Sequence, residues 1–223
     1  MLSQPQKIRV MFSKTGSLKF ISHLDLNRTV RSAFLRSRLP IWYTKGFNPH
    51  PKTVFSVPLS VGTASLCEFM DFRVTEEITG EAICERLNAV FPVGLRAIEA
   101  YEPVKKFHDI GWADYELVFE IPDAASMAEP VRELLSGEIV IDKTTKIGTR
   151  TVDITSLVRV LDVTVEDEKL VLKLRLSADD ASYVNPKYIV ELMISKLGIP
   201  GEKDDYTVCR TAVYCKDGET IFR

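Results

Sequence analysis

The sequence predicts an α+β fold made of two consecutive β-α-β-β-α-β units, each an antiparallel sheet with helices on one face. Three observations lead there. Period-two apolar segments alternate with period-3.6 amphipathic ones, the same order of elements runs twice, and 223 residues suffice for two small domains of about 100 residues each. That order is the signature of the ferredoxin-like unit, so a tandem is expected, with domains at residues 1–105 and 106–223. No internal sequence repeat accompanies it, and the expectation rests on element order alone.

In the first unit, Ile8 to Phe12 reads as a strand, S-K-T-G-S as the turn after it and L-K-F-I as a short extended piece. Ser22 opens a helix through the capping pattern S-H-L-D, and no proline or glycine interrupts it before Pro40. At 100° per residue, Leu26, Val30, Ala33 and Phe34 share one side of this helix, and Arg28, Arg31 and Arg38 share another. I-W-Y-T and T-V-F-S-V-P-L are extended segments around a turn. E-F-M-D-F-R-V is a strand, G-E-A-I-C-E-R-L-N-A-V-F a helix and L-R-A-I-E-A-Y a strand.

The second unit starts with the strand Y-E-L-V-F-E-I. A helix containing Pro130 follows, expected to bend or start late, and then the strand E-I-V-I-D-K. After a loop with I-G-T-R-T come V-D-I-T-S-L-V-R-V-L-D-V-T-V and the strict alternation K-L-V-L-K-L-R-L. N-P-K-Y-I-V-E-L-M-I-S-K-L-G has Asn at the cap, Pro at the first helical position and Gly at the end, which marks a helix. Y-T-V-C-R-T-A-V-Y-C closes the unit as a strand, so one extra strand sits in the middle.

Apolar residues make up 45% and charged residues 27% of the chain, values of a globular protein. No run approaches the roughly 18 apolar residues of a membrane span, and M-L-S-Q-P-Q-K lacks a signal-peptide core, so a cytoplasmic location with no membrane partner is expected. Cys67, Cys84, Cys209 and Cys215 show no zinc or cluster spacing; neither metal nor cofactor is expected. Phosphate-loop, dinucleotide, zinc-protease and nucleophile-elbow motifs are missing, and Glu68 and Asp71 read as a charged rim.

Net charge is −2, but residues 1–52 hold ten Lys or Arg against one acid, Asp25, a block of +9 that leaves −11 elsewhere. Such a block marks an anion site or a solvated basic face. Within it lies T-K-G-F-N-P-H-P-K-T, Thr44 to Thr53. Pro49 and Pro51 fix their own φ and bias Asn48 and His50 to extended geometry, which presents the imidazole on a stiff backbone. Phe47 is a stacking surface for a base if it faces outward and core if it faces inward.

His23 opens the basic helix, where free N–H groups favour an anion flanked by Arg28, Arg31, Lys45 and Lys52; a structural histidine is the other reading. The expected nucleic-acid contacts are Arg28, Arg31, Lys45, Phe47, Asn48, His50 and Lys52. If the protein is an enzyme, His23 and His50 are the candidate base and acid of a metal-independent endoribonuclease. Lys143 to Arg150 forms a second small basic patch or a solvated hairpin.

The run from Phe20 to Lys52, F-I-S-H-L-D-L-N-R-T-V-R-S-A-F-L-R-S-R-L-P-I-W-Y-T-K-G-F-N-P-H-P-K, resembles the opening of the radical-SAM-linked, or radical-SAM-associated, bacterial proteins. In that family the domain occurs alone or joined to a radical S-adenosylmethionine protein, and the likeness extends over nearly the whole chain. Thr149 to Val158, T-R-T-V-D-I-T-S-L-V, resembles a weaker family segment, G-E-K-x-x-D-I-R-P, from which Thr149, Arg150 and Thr155 depart. The resemblance carries no established activity. It implies a radical S-adenosylmethionine protein as partner and, through gene neighbours that encode a ribonuclease and ribosomal proteins, work on tRNA or rRNA.

The tandem architecture also looks like the repeat-processing endoribonucleases of CRISPR systems, whose late basic glycine-rich loop is replaced here by the acidic G-I-P-G-E-K-D-D. Binding is therefore expected before cleavage. A protein-docking module without RNA is the third alternative.

Overall fold

Alternation of apolar and polar residues, read against strand pairing, fixes which side chains the fold hides. The computed structural model describes residues 4–145, 148–202 and 205–223. It is a mixed α+β structure with four α-helices among those residues, and the strand pairs within each unit described below run antiparallel. Two units divide the chain, residues 1–109 with Phe222–Arg223, and Ile110–Ile221.

In the first unit the order is β1 (Gln6–Lys14), α1 (His23–Ser37), β2 (Val54–Phe55), β3 (Thr63–Val74), α2 (Gly80–Asn88) and β4 (Leu95–Tyr101). Strand β1 lies between β3 and β4, and β2 adds to the outer side of β3. Ile8, Val10 and Phe12 of β1 meet Met70, Phe72 and Val74 of β3 under Leu26, Val30 and Phe34 of α1. By the pleat, Lys7, Arg9, Asp71 and Arg73 then point to the opposite face.

Helix α1 starts where the capping pattern puts it. Ser22 Oγ accepts from the Asp25 backbone N–H at 3.1 Å and donates to the Asp25 carboxylate at 2.7 Å. It ends on Arg38, whose left-handed φ of 54° turns the chain before Pro40. Two expectations change here. Leu18 to Phe20 of the L-K-F-I piece lie in a 3-10 turn, Gly16–Phe20, with Ile21 alone extended, and the long extended segments around the proline-rich turn reduce to β2 and isolated bridges, because the prolines withhold ladder donors.

The second unit runs β5 (Ile110–Phe119), α3 (Ala124–Ser136), β6 (Val140–Thr145), β7 (Gly148–Asp153), β8 (Val158–Glu166), β9 (Lys169–Ser177), α4 (Lys187–Leu197) and β10 (Tyr206–Cys215). Its sheet has the order β10-β5-β9-β8, and β6 pairs with β7 in a separate two-stranded sheet. The single extra strand expected in the middle is thus a hairpin. A 3-10 turn, Thr155–Leu157, splits the long segment after it. Pro130 sits inside α3, which is helical on both sides of it. Lys146 and Ile147 of the basic patch, and Lys203 and Asp204 of the acidic loop, lie outside the described residues.

Candidate nucleic-acid interface

A hairpin spanning residues 43–52 carries most of the candidate residues. Its base is closed by the Tyr43–Pro51 bridge, with Tyr43 packed on the core and Pro51 buried. One step above, the Thr44 backbone N–H donates to the His50 carbonyl at 3.0 Å, and the His50 N–H donates to Thr44 Oγ1 at 3.2 Å. At the turn, Gly46 takes φ 130°, a conformation other residues avoid.

The His50 ring is held as well. Its Nδ1 lies 2.9 Å from the Asn48 carbonyl oxygen, which can only accept, so in the neutral ring Nδ1 carries the proton and Nε2 keeps its lone pair. Between these anchors Phe47 is 113% exposed, which settles its direction as outward. Lys45, Asn48, His50 and Lys52 are exposed around it.

The other candidates lie elsewhere in the first unit. The His23 ring packs edge-on against Phe55, 5.1 Å between centroids, as its position on the apolar side of α1 requires. Arg28 and Arg31 project from the side of α1 turned away from the sheet, and Arg28 donates to Asp25 at 3.1 Å. That hydrogen bond, after the stronger one from Ser22, holds the Asp25 carboxyl below the usual range. The candidate cations are therefore divided between the outer face of α1 and the hairpin.

Two residues that the charge count did not single out, Lys7 and Arg73, join Lys52 near the hairpin base. With Val54, Asp71 and Phe72 they line a cavity of about 220 Å³. The Trp42 backbone N–H donates to the Arg73 carbonyl at 2.8 Å, and the Arg73 guanidinium lies 5.9 Å from the Trp42 ring.

The reading of Glu68 and Asp71 as a rim fails, since they are only 5% and 3% exposed; of the two, Asp71 lines this cavity. Asp71 accepts from Arg9 Nε at 2.7 Å and Nη2 at 2.9 Å, and Lys7 Nζ lies 2.7 Å away. Arg9 is fully buried, its guanidinium 4.2 Å from the Phe107 ring and 4.9 Å from that of Phe222. Burial of this carboxylate follows from its buried cationic partner, which the alternation of one strand does not disclose.

Among the described residues no group of three or more His, Cys, Asp or Glu could hold a metal, and no helix is long and apolar enough to cross a membrane. The four cysteines are free thiols. Burial first, then Glu99 and Glu116 respectively, push the Cys84 and Cys209 thiols up and away from the thiolate form.

The model of a bacterial family described as "uncharacterized protein conserved in bacteria" (DUF2344) matches residues 7–186. The chain belongs to this family. The matched span takes in the hairpin, all of α1 and the cavity-lining residues, so these are parts of the DUF2344 region. No curated protein matches the chain.

Proposed function

We propose that this member of the DUF2344 family is an RNA-binding accessory protein, the partner of a radical S-adenosylmethionine enzyme in modification or processing of tRNA or rRNA, built on a tandem of ferredoxin-like units. The observation that carries the RNA part is Phe47, wholly exposed on a hairpin pinned below it, with Lys45, Asn48, His50 and Lys52 around it. An aromatic ring held out in water offers a base a stacking platform, and nearby cations meet the backbone. The hairpin lies in a stretch, residues 26–67, that contains no Asp or Glu. The enzyme partner is supported by the likeness of Phe20 to Lys52 to the radical-SAM-linked proteins.

Filter binding of bulk tRNA and rRNA fragments across a salt series tests the RNA part. Affinity should fall steeply with salt, and Phe47→Ala should weaken it by about 1–3 kcal/mol, the range for a base stacked on an aromatic ring. Failure to retain RNA even at low salt removes the proposal. Co-purification with a radical S-adenosylmethionine enzyme tests the partner.

One observation favours a second reading, a metal-independent endoribonuclease: the Nε2 lone pair of His50 is left available on an exposed ring. Labelled RNA that stays whole after incubation in EDTA eliminates it.

A further inference from the structure

We propose that Lys7, Lys52 and Arg73 form a phosphate pocket, separate from the Phe47 tip, that holds one backbone phosphate of a single-stranded RNA. The assignment of RNA as the source rests on the function proposed above; the pocket itself rests on geometry alone.

Strand register gathers the charges. Lys7 and Arg73 are direct cross-strand partners on β1 and β3, and both point to the face away from the helices. Like charges placed so oppose pairing. Lys52 then brings a third positive charge to the same cavity.

Compensation within the fold is incomplete. The one acid in the lining, Asp71, is already engaged by Nε and Nη2 of the buried Arg9, and Lys7 shares what remains at 2.7 Å. Arg73 has the Trp42 ring beside it. Lys52 and Arg73 have no ion-pair partner among the described residues. Asp71 relieves Lys7 in part, and a bound anion would relieve Lys52 and Arg73, which no acid among the described residues pairs.

The cavity also limits what the anion is. At about 220 Å³ it falls below the roughly 300–1,000 Å³ of pockets that enclose a whole small ligand, so it suits one charged group with the rest of the molecule outside. Two ammonium point charges and one planar guanidinium fork match a phosphate with several acceptor oxygens. Position on the hairpin favours a polymer as its source. Lys52 is two residue pairs below the Thr44–His50 pair, so a strand stacked at the tip has a path along the hairpin to the cavity.

Trp42 supplies a reporter. Trp112 is the other tryptophan, so Trp112→Phe in the full chain isolates the Trp42 emission next to Arg73. Titration of this protein with inorganic phosphate, and then with a short single-stranded oligonucleotide, should give a saturable change in each case. Lys52→Gln and Arg73→Gln should each weaken both titrations about tenfold, as expected for loss of a charged hydrogen bond.

Thermal midpoints provide a readout that a structural role would not reproduce. Without ligand, Arg73→Gln should melt no lower than the parent, because it removes a like-charge neighbour, yet the upward shift that phosphate gives the parent should vanish. No saturable response to either probe overturns the pocket, as does an unchanged affinity in both variants. A phosphate response without any oligonucleotide response keeps the pocket and assigns it to a small phosphorylated molecule. Phe47→Ala reports on the tip separately: RNA binding that needs Phe47 but ignores Lys52 and Arg73 rejects the pocket and leaves the RNA reading standing.

Discussion

The two units carry the same device in reversed polarity. Arg9 on β1 faces Asp71 on β3, and Asp114 on β5 faces Arg175 on β9, each a direct cross-strand pair with two hydrogen bonds between guanidinium and carboxylate. Each guanidinium also lies over aromatic rings, those of Phe107 and Phe222 for Arg9 and that of Tyr214, at 3.7 Å, for Arg175. Register is the common product, since a one-residue slip would separate the charges and reverse the faces.

What surrounds the pairs differs. In the second unit Lys173 reaches Glu166, Lys169 reaches Glu120, and Arg175 hands a third donor to the Gly218 carbonyl. In the first, Lys7, Lys52 and Arg73 crowd around a carboxylate already taken, and Arg9 Nη1 is buried with no hydrogen-bond partner among the described residues. The face around Arg175 is closer to balance, although Arg159 stands directly across from Arg175 with the Trp112 ring beside it. The less balanced face, around Arg9, retains positive potential, which is where an anion gains most.

The largest effect that would break this comparison is on stability. Asp71→Ala strands a wholly buried guanidinium and should cost about 3–5 kcal/mol, the range for removing one partner of a buried ion pair. Asp114→Ala should cost about 1.5–3 kcal/mol, because Arg175 is 15% exposed and keeps the Gly218 carbonyl. Urea denaturation midpoints of the two variants decide it. Equal losses would mean that the burial difference carries no weight.

A second experiment sharpens the contrast between the hairpin and the helix inside the first unit. Lys45→Ala with Lys52→Ala should weaken RNA binding by more than the roughly tenfold expected from Lys52 alone and lower the salt slope by about one for each phosphate no longer neutralised. Arg28→Ala with Arg31→Ala should do less, since α1 turns these residues away from the sheet and Arg28 is tied to Asp25. Filter binding at several salt concentrations ranks the two pairs. A larger loss from the helix pair would move the interface to the outer face of α1.

Much of the architecture was legible because it depends on local pattern. The period of Ile8 to Phe12 and the Ser22 cap fixed β1 and the start of α1, and Gly46, Pro49 and Pro51 announced a stiff turn. The division of the basic block was not legible. Counting charge over residues 1–52 merges Arg28 and Arg31, on one side of the sheet, with Lys7 and Lys52, on the other. Arg73 lies outside that block altogether, and its place beside Lys7 is set by the β1–β3 register, a long-range fact. Asp71 was misread for the same reason: a polar residue in an alternating strand reads as solvent-facing until its partner is known to be a buried arginine. The extra hairpin β6–β7 was half visible, as one apolar segment whose mate, Gly148–Asp153, has almost no apolar residues.

The smallest effect is at Tyr101, half-buried with its hydroxyl covered, set against the buried Tyr115 of the second unit. Tyr115 in the second unit accepts from Arg210 Nε and Nη2 at 3.1 and 2.9 Å, whereas the Tyr101 hydroxyl in the first is buried with no hydrogen-bond partner among the described residues. Tyr115→Phe should therefore cost about 1–3 kcal/mol, and Tyr101→Phe at neutral pH should be neutral or stabilising by up to about 1 kcal/mol. Alkali gives the second variant a signature. Burial pushes the Tyr101 phenol up to about 12, against a smaller opposite pull from Arg9, whereas an unfolded tyrosine ionises near about 10. The fold thus favours the protonated form. The associated stability is complete below the unfolded value and is lost as pH rises from about 10 towards about 12. Urea midpoints measured on either side of that window should fall less in Tyr101→Phe than in the parent. An identical alkaline loss in the two proteins would show that Tyr101 is not the group the first unit keeps neutral.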